Sequence, residues 1–204
     1  IEMVKFKKTY SNFNLKKTHK GSIILIGNFD GVHIGHRKLF ALARKYKKKF
    51  NLKVGVLTFE PMPKMFFNKK IKNFRVSNLR QKIDLLNNLG VDFIINKKFD
   101  DAFSKTKSFD FIKKIIFKRL NAKFIFVSNN FKFGNKREGD VNQLIKYQKQ
   151  FNYKIINPEP LKVKNKVVSS SLIRSFLEKG FLDNANKILK RNWCIIGKVE
   201  KGRQ

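Results

Sequence analysis

Cysteine and acidic residues are scarce in this chain of 204 residues. A single cysteine, Cys194, excludes an internal disulfide and a metal cluster held by several cysteines. The 14 Asp and Glu residues face 47 Lys and Arg residues, which gives a formal net charge of +33. No apolar run reaches the roughly 18 residues of a membrane-spanning helix, and residues 1–5 lack the apolar segment of a signal peptide. We therefore expect a cytoplasmic protein with no membrane partner.

The excess of positive charge has two interpretations. A nucleic-acid-binding protein would use it to displace counterions from a phosphate backbone. The lysines are nevertheless spread along the whole chain, and they accompany abundant Asn, Ile and Phe, which AT-rich codons also encode. We favour compositional drift and expect no specific nucleic acid partner, although a positive field would still attract small anions.

Strands and helices alternate along the chain. Apolar runs predict buried strands at 22–27, 52–59, 91–95, 122–127 and 153–156. Helical spacing of apolar residues predicts helices at about 35–48, 79–89, 108–120 and 140–150. The alternation is typical of an α/β fold with a doubly wound, mostly parallel sheet, and residues 1–20 could add a short edge strand.

One glycine-rich turn, residues 27–36, follows the first strand and opens the first helix. Its sequence is Gly27-Asn28-Phe29-Asp30-Gly31-Val32-His33-Ile34-Gly35-His36. Backbone N–H groups and the positive end of the helix point into such a turn, so a phosphate is the expected ligand. His33 and His36 can donate to phosphate oxygens, and Gly35 leaves room for a phosphate to approach the backbone. The third histidine, His19, lies among lysines and is expected on the solvated surface.

A serine-rich segment, residues 168–174, leads into a helix near the C-terminus. Serine hydroxyls at a helix start cap the helix or bind an anion there. Arg174 is placed in the first turn, where the helix dipole disfavours a cation, and this suggests an anionic ligand. The alternative is a plain serine cap beside a solvated arginine. Ligands of parallel sheets bind beyond the carboxyl ends of the strands, so we expect loops 28–36, 59–63 and 128–140 to form one cleft.

Several other chemistries lack their motifs. The sequence has no Gly-x-x-x-x-Gly-Lys-Ser/Thr loop, no three-glycine dinucleotide fingerprint and no Gly-x-Ser-x-Gly elbow. His33 and His36 have no third ligand nearby, so no protein-held metal is predicted. Histidines, helix N–H groups and basic side chains instead suit attack on a nucleotide's α-phosphate, which depends on positioning and charge stabilisation.

Four segments resemble, in order and spacing, the motifs of the bacterial FAD synthetases. They are residues 27–36, 58–63, 130–140 and 169–174, and the likeness extends over residues 21–204. The resemblance implies the Rossmann-like fold of the nucleotidylyltransferases. It also implies transfer of AMP from ATP to FMN, giving FAD and pyrophosphate, with Mg²⁺ bound mainly through the ATP phosphates.

The resemblance implies a role for each motif. His33 and His36 would hold ATP phosphates and stabilise the transition state. Ser169, Ser170 and Arg174 would grip the β- and γ-phosphates.

The remaining implied contacts concern the join to the flavin and the flavin itself. Asn130 would lie where flavin and nucleotide meet, and Phe59 with its loop would form the flavin side. Further substrate-binding residues are expected at Gly27, Phe29, Asp30, Gly35, Pro61, Phe133, Arg137 and Ser171. Met62 stands where the family usually has histidine, a change that would weaken flavin or nucleotide binding. Ser171 replaces the usual threonine and keeps the hydroxyl.

Two domains are predicted. Residues 1–190 would form the adenylyltransferase domain. Residues 191–204, with an expected strand at 193–199, resemble the start of the family's riboflavin kinase β-barrel, and the kinase step is not predicted for them. A nucleic-acid-binding α/β protein and a nucleotidyltransferase for another phosphorylated substrate remain as rival hypotheses, and the oligomeric state is left open.

Overall fold

A computed structural model describes residues 8–71 and 75–197. Its strands are β1 (Lys8–Tyr10), β2 (Ile23–Ile26), β3 (Val54–Glu60), β4 (Phe93–Lys98), β5 (Phe124–Phe126), β6 (Lys132–Phe133), β7 (Gly139–Asp140), β8 (Lys154–Ile156), β9 (Lys162–Val163) and β10 (Lys166–Val167). Six of them form an all-parallel sheet in the order β1-β4-β3-β2-β5-β8, while β6–β7 and β9–β10 are short antiparallel pairs.

Helices connect the strands of the sheet. They are α1 (Ile34–Phe50), α2 (Pro63–Phe67), α3 (Leu79–Asn87), α4 (Asp101–Ser104), α5 (Ser108–Asp110), α6 (Val141–Tyr147), α7 (Ser170–Glu178) and α8 (Leu182–Leu189). A π-helix, Phe111–Arg119, continues α5, and short 3-10 turns lie at Lys17–His19 and Asn135–Arg137. The predicted doubly wound α/β fold is confirmed, with β1 as the expected edge strand.

Both faces of the sheet are buried, which explains the unbroken apolar runs of its strands. On β2, Ile23 and Leu25 pack with α1 and α3 on one face. Ile24 and Ile26 pack with the π-helix and α6 on the other. All four are at most 2% exposed, and burying each such side chain contributes about 1.5–3 kcal/mol.

A smaller apolar cluster joins α7 and α8 to the segment before α3. Ile173, Ile188 and Leu189 pack there against Val76. Gly31 borders this contact with φ at 74°, and a Cβ at this position would lie 2.7 Å from Val76 Cγ1. A side chain larger than hydrogen is therefore excluded at Gly31 by both conformation and space.

Three findings differ from the expectations. His19 is only partly solvated, because its ring stacks on Phe93 with centroids 4.4 Å apart and its Nδ1 lies 2.9 Å from the Tyr10 hydroxyl. The strand expected at 193–199 is absent over residues 193–197, and its last two residues lie outside the described ranges. The short elements α2, α4, β6–β7 and β9–β10 were not predicted. Within residues 8–71 and 75–197, no helix has the length and apolar character needed to cross a membrane.

Candidate active site

A cleft of about 750 Å³ opens at the carboxyl ends of β2, β3 and β5. Its walls come from the turn after β2, the end of β3 with α2, the segment after β4, the loop after β5 and the start of α7. The predicted convergence of these loops at one end of the sheet is confirmed. The cleft therefore lies where ligands of parallel sheets bind.

The residues predicted for the site fall into two groups. Those that line the cleft are Gly27, Asp30, Phe59, Asn130, Phe133, Arg137, Ser170, Ser171 and Arg174. Those outside its lining are Phe29, His33, Gly35, His36, Pro61 and Ser169. The structure thus places the basic side chains, Ser170 and Ser171 at the cleft surface and the two histidines behind it.

The two histidines stack on each other at the start of α1. Their ring centroids are 3.7 Å apart, and His33 caps the helix because its Nδ1 accepts the backbone N–H of His36 at 3.4 Å. An accepting Nδ1 carries no proton, so the Nε2–H of His33 is its donor. Burial lowers the pKa of His33 to about 4 and that of His36 well below its usual value. Near neutral pH the pair offers neutral N–H donors rather than positive charge.

Close packing surrounds this pair. The edge of Phe29 meets His36 with centroids 5.2 Å apart, and His36 Nδ1 is buried with no hydrogen-bond partner among the described residues. A Cβ on Gly35 would lie 3.2 Å from the His33 ring. Gly35 was expected to leave room for a phosphate. In the structure, the space beside it is used by the imidazole of His33.

Arg174 is bound to an acidic side chain of the protein. This corrects the prediction that its position in the first turn of the helix indicates an anionic ligand. Its Nη1 donates to Asp30 Oδ2 at 2.8 Å, and its Nη2 donates to Ser171 Oγ at 3.1 Å. Helix α7 begins at Ser170, so Arg174 lies beyond the first turn. The anion beside it is a carboxylate of the chain itself, although the guanidinium still borders the cleft.

Asp30 is the junction between the turn after β2 and its surroundings. Its carboxylate also accepts the backbone N–H groups of Val76, at 3.0 and 3.1 Å, and Ser77, at 3.2 Å. Its carbonyl accepts the Ser170 hydroxyl at 2.8 Å. Burial raises the pKa of Asp30, while the two N–H groups and Arg174 act in the opposite direction.

The serines of the C-terminal motif also bond within the chain. Ser169 Oγ accepts the backbone N–H of Leu172 at 3.2 Å and so caps α7, as the alternative interpretation expected. Ser170 and Ser171 bond to Asp30 and Arg174, and both line the cleft. These two hydroxyls are the ones placed to meet a ligand.

Phenylalanines form the opposite half of the cleft. Rings in its lining are Phe59, Phe67, Phe99, Phe103, Phe111, Phe131 and Phe133. Phe131 and Phe133 are nearly parallel with centroids 5.5 Å apart, and Phe67 is 65% exposed. Such a wall suits a flat aromatic ligand. Only Phe59 and Phe133 were predicted for the site, and the signal for the others is the high count of 22 phenylalanines.

Two further features complete this half. Met62 is 3% exposed and lies in the cleft wall just before α2, where it contributes apolar surface. The loop carrying Asn130 and Arg137 is tied to α5, because Glu138 Oε1 accepts the Ser108 backbone N–H at 2.7 Å. The exposed side chains of this loop therefore project from an anchored backbone.

The cleft wall does not fit a protein-held metal ion. In the described parts of the chain no three His, Cys, Asp or Glu side chains are grouped to hold one. Asp30 is the acidic residue among those lining the cleft, and its carboxylate already binds Arg174 and two backbone N–H groups. A divalent cation would have to arrive on a ligand.

Comparisons with known proteins indicate one family for this chain. Two curated relatives are named bifunctional riboflavin kinase/FMN adenylyltransferase. The one from Buchnera aphidicola subsp. Schizaphis graminum is 38% identical over 192 residues, covering 94% of this chain and 62% of the relative. The one from Escherichia coli K12 is 34% identical over 183 residues, covering 90% and 58%. The chain thus spans only about three-fifths of the length of these relatives.

A solved structure and a family profile complete the comparison. The crystal structure described as a macrolide-efflux protein from Streptococcus pneumoniae matches with a TM-score of 0.78 and 25% identity, covering 91% of this chain and 60% of that one. The profile described as FAD synthetase matches residues 15–172, which include the cleft-forming turn after β2 and all the phenylalanines of the cleft lining. On that match, and with the resemblance of its motifs now confirmed, the chain belongs to the FAD synthetase family.

Proposed function

We propose that this chain is an FMN adenylyltransferase, which transfers AMP from ATP to FMN and releases pyrophosphate. The observation that carries the proposal is a single cleft with two unlike halves. One half is the helix-start turn with Ser170, Ser171 and Arg174, and the other is a wall of phenylalanines. A triphosphate suits the first half and an isoalloxazine ring the second.

The reaction needs positioning more than covalent chemistry. An oxygen of the FMN phosphate attacks the α-phosphorus of ATP, and the bond from that phosphorus to the bridging oxygen of the β-phosphate breaks. A phosphate monoester is largely deprotonated near neutral pH, so no strong general base is required. The groups that hold both substrates in line supply most of the catalysis.

Each motif has a proposed part in that alignment. His33 and His36 would donate from neutral imidazoles to the α-phosphate as its charge is redistributed. They stand behind the lining of the cleft, and catalytic hydrogen bonds often tighten only when substrates bind. Ser170 and Arg174 would hold the departing pyrophosphate, with Ser169 fixing the helix start. Asn130 would lie at the join of the two substrates.

The other predicted contacts keep the same assignment. Substrate-binding roles are proposed for Gly27, Phe29, Asp30, Gly35, Phe59, Pro61, Phe133, Arg137 and Ser171. Magnesium would be carried by the ATP phosphates and would neutralise part of their charge. The substrates ATP and FMN, a cytoplasmic location and the division into residues 1–190 and 191–204 stay predictions, and no kinase step is assigned.

The test is direct formation of FAD. The chain is incubated with FMN, ATP and magnesium, and the flavins are separated by chromatography. We expect the chain to form FAD when FMN is supplied. When riboflavin is supplied instead, we expect neither FMN nor FAD. Absence of FAD, with pyrophosphate released from ATP when another phosphorylated acceptor is supplied, would point instead to a different nucleotidyltransferase.

A variant pair sharpens this test. His36→Ala is expected to lower turnover by about 10²–10³-fold, because it removes a donor to the transition state. His19→Ala is the matched control, since that histidine packs on Phe93 and is not part of the cleft lining. Equal turnover in the two variants would remove His36 from the mechanism.

A further inference from the structure

Helix α3 carries a lysine that is buried beneath the turn after β2. Lys82 is 4% exposed and shares the inner face of the helix with Leu86, which is fully buried. Lysine is rarely buried to this degree, because removing an ammonium group from water is costly. Helical spacing gave no reason to single it out, since its neighbours at positions 83, 85 and 86 supply the apolar pattern.

A short relay of hydrogen bonds leads from this lysine to the turn. Lys82 Nζ donates to Thr58 Oγ1 at 3.1 Å, and Thr58 Oγ1 donates to the carbonyl oxygen of Asn28 at 3.3 Å. Thr58 is fully buried at the end of β3. Its one hydroxyl proton is used on Asn28, so its lone pairs are available to the ammonium.

The relay fixes the orientation of one peptide in the turn. In a trans peptide the C=O and the following N–H point in opposite directions. Holding the Asn28 carbonyl toward Thr58 therefore directs the Phe29 N–H away from Thr58. Asn28 itself borders the cleft.

The ammonium group of Lys82 also adds a positive charge, and its hydrogen bond does not neutralise that charge. Its hydrogen-bond partner Thr58 is neutral. The carboxylates that act on it are Glu60 and Asp30, and each is already paired, Glu60 with Arg75 and Asp30 with Arg174.

These three cations and two carboxylates carry a net charge of +1, and Glu178 also acts on Arg174. Burial lowers the pKa of Lys82, Arg75 adds to that effect, and Glu60 and Asp30 oppose it. One negatively charged oxygen of a bound phosphate would offset this excess.

We propose that Lys82 is a positioning residue for the triphosphate of ATP. It orients the Asn28–Phe29 peptide through Thr58 and places a positive charge below the phosphates without touching them. The inference rests on the proposed function, because it assigns the buried charge of Lys82 to the half of the cleft that is proposed to bind ATP. Loss of Lys82 should therefore affect ATP and turnover while sparing FMN.

The experiment combines two isosteric substitutions. Lys82→Met removes the charge at similar length, Thr58→Val removes the hydroxyl, and Thr58→Ser keeps it. For each variant kcat, KM for ATP and KM for FMN are measured, together with calorimetric binding of a non-hydrolysable ATP analogue. We expect Lys82→Met and Thr58→Val each to lower kcat/KM for ATP by about tenfold or more, with KM for FMN nearly unchanged.

The double variant and two controls test the relay itself. Lys82→Met with Thr58→Val should be no worse than the stronger single variant, because both break the same connection. Thr58→Ser should behave like the parent chain. Lys47→Met removes a lysine that pairs with Asp92 away from the cleft, and it should leave the kinetics unchanged.

Three outcomes would overturn the inference. They are parent-like kinetics in Lys82→Met and Thr58→Val, an equal rise in KM for both substrates, or fully additive effects in the double variant. If circular dichroism shows that Lys82→Met is unfolded, the comparison of Thr58→Val with Thr58→Ser decides. If the parent chain forms no FAD, the proposed function fails, and the ATP-analogue affinities still test Lys82 separately.

Discussion

His33 serves two purposes at the start of α1. It caps the helix through Nδ1 and keeps Nε2–H as a donor. Asparagine is among the best N-cap residues, so His33→Asn preserves a cap acceptor and removes the imidazole donor. We expect the free energy of unfolding to change by less than about 1 kcal/mol. FAD formation should fall by about 10²-fold.

Urea unfolding and steady-state assays on the same preparation separate the two purposes of His33. The outcome that contradicts the assignment is turnover that stays within about threefold of the parent. A large loss of stability with normal turnover per folded molecule would leave His33 only as a cap.

Buried neutral histidines make the fold sensitive to acid. His19, His33 and His36 all have a pKa below the ordinary value of 6.5, chiefly because of burial, and that of His33 is about 4. Below pH 6.5 these histidines bind protons more readily in the unfolded chain than in the folded chain. The two deeply placed histidines, His33 and His36, therefore each lower the free energy of unfolding by up to about 1.4 kcal/mol per pH unit as the pH falls, while the more exposed His19 contributes less.

The raised pKa of Asp30 has the opposite effect on the free energy of unfolding at low pH, because this carboxylate binds its proton more readily in the folded chain. Urea midpoints at pH 7.5 and 5.5 measure the combined effect, and the midpoint should be lower at pH 5.5. His33→Asn should make that difference smaller. An unchanged midpoint between the two pH values would mean that the imidazoles are not held neutral.

At the scale of elements, Asp30 joins the turn after β2 to α7. Arg174→Ala would leave a carboxylate that is 4% exposed with only its backbone donors. Removing one partner of a buried ion pair costs about 3–5 kcal/mol, and we expect about 3 here because two N–H groups remain. The surface pair Lys105–Asp101 supplies the control, since Lys105→Ala should cost under about 1 kcal/mol.

Urea unfolding of both variants provides the measurement. Similar losses of stability in Arg174→Ala and Lys105→Ala would contradict a structural role for the buried pair. Asp30→Asn combined with Arg174→Met should recover part of the loss, because no uncompensated charge then remains.

The sequence predicted two kinds of element. They are helices whose apolar residues repeat at helical spacing over several turns, and strands that are fully buried. β2 and α1 are examples, because the apolar run and the helical spacing follow directly from burial. Elements of two to five residues, such as α2 and the β6–β7 pair, carry no measurable period. The Arg174–Asp30 pair joins residues 144 positions apart, and no local pattern reports such a contact.

The candidate site was predictable to a similar extent. Motif residues such as Ser170 and Arg174 were identified from their order and spacing, and they do border the cleft. Their internal partners were not predictable, nor was the burial of Lys82, because both depend on how distant segments pack. Most of the phenylalanine wall was missed because its rings come from five separate segments.

At the scale of the whole molecule, the net charge of +33 should influence how anions reach the cleft. A positive field speeds the encounter with ATP, and salt screens that field over about 10 Å at 0.1 M. We expect kcat/KM for ATP to fall by about three- to tenfold between roughly 50 and 300 mM salt, with kcat much less affected. Steady-state kinetics across this series would contradict the expectation if kcat fell as steeply as kcat/KM.

The central position of β2 has a consequence for local opening. The amides of a fully buried central strand exchange with solvent only when the whole domain unfolds, whereas short peripheral elements open on their own. The turn at the triphosphate half continues directly from β2, while two rings of the phenylalanine wall, Phe67 and Phe133, stand on the short helix α2 and the two-residue strand β6. Hydrogen–deuterium exchange should therefore be slow in β2 beside the nucleotide and fast in α2 and β6 on the flavin side. FMN, rather than ATP, should then be the ligand that protects the larger number of amides.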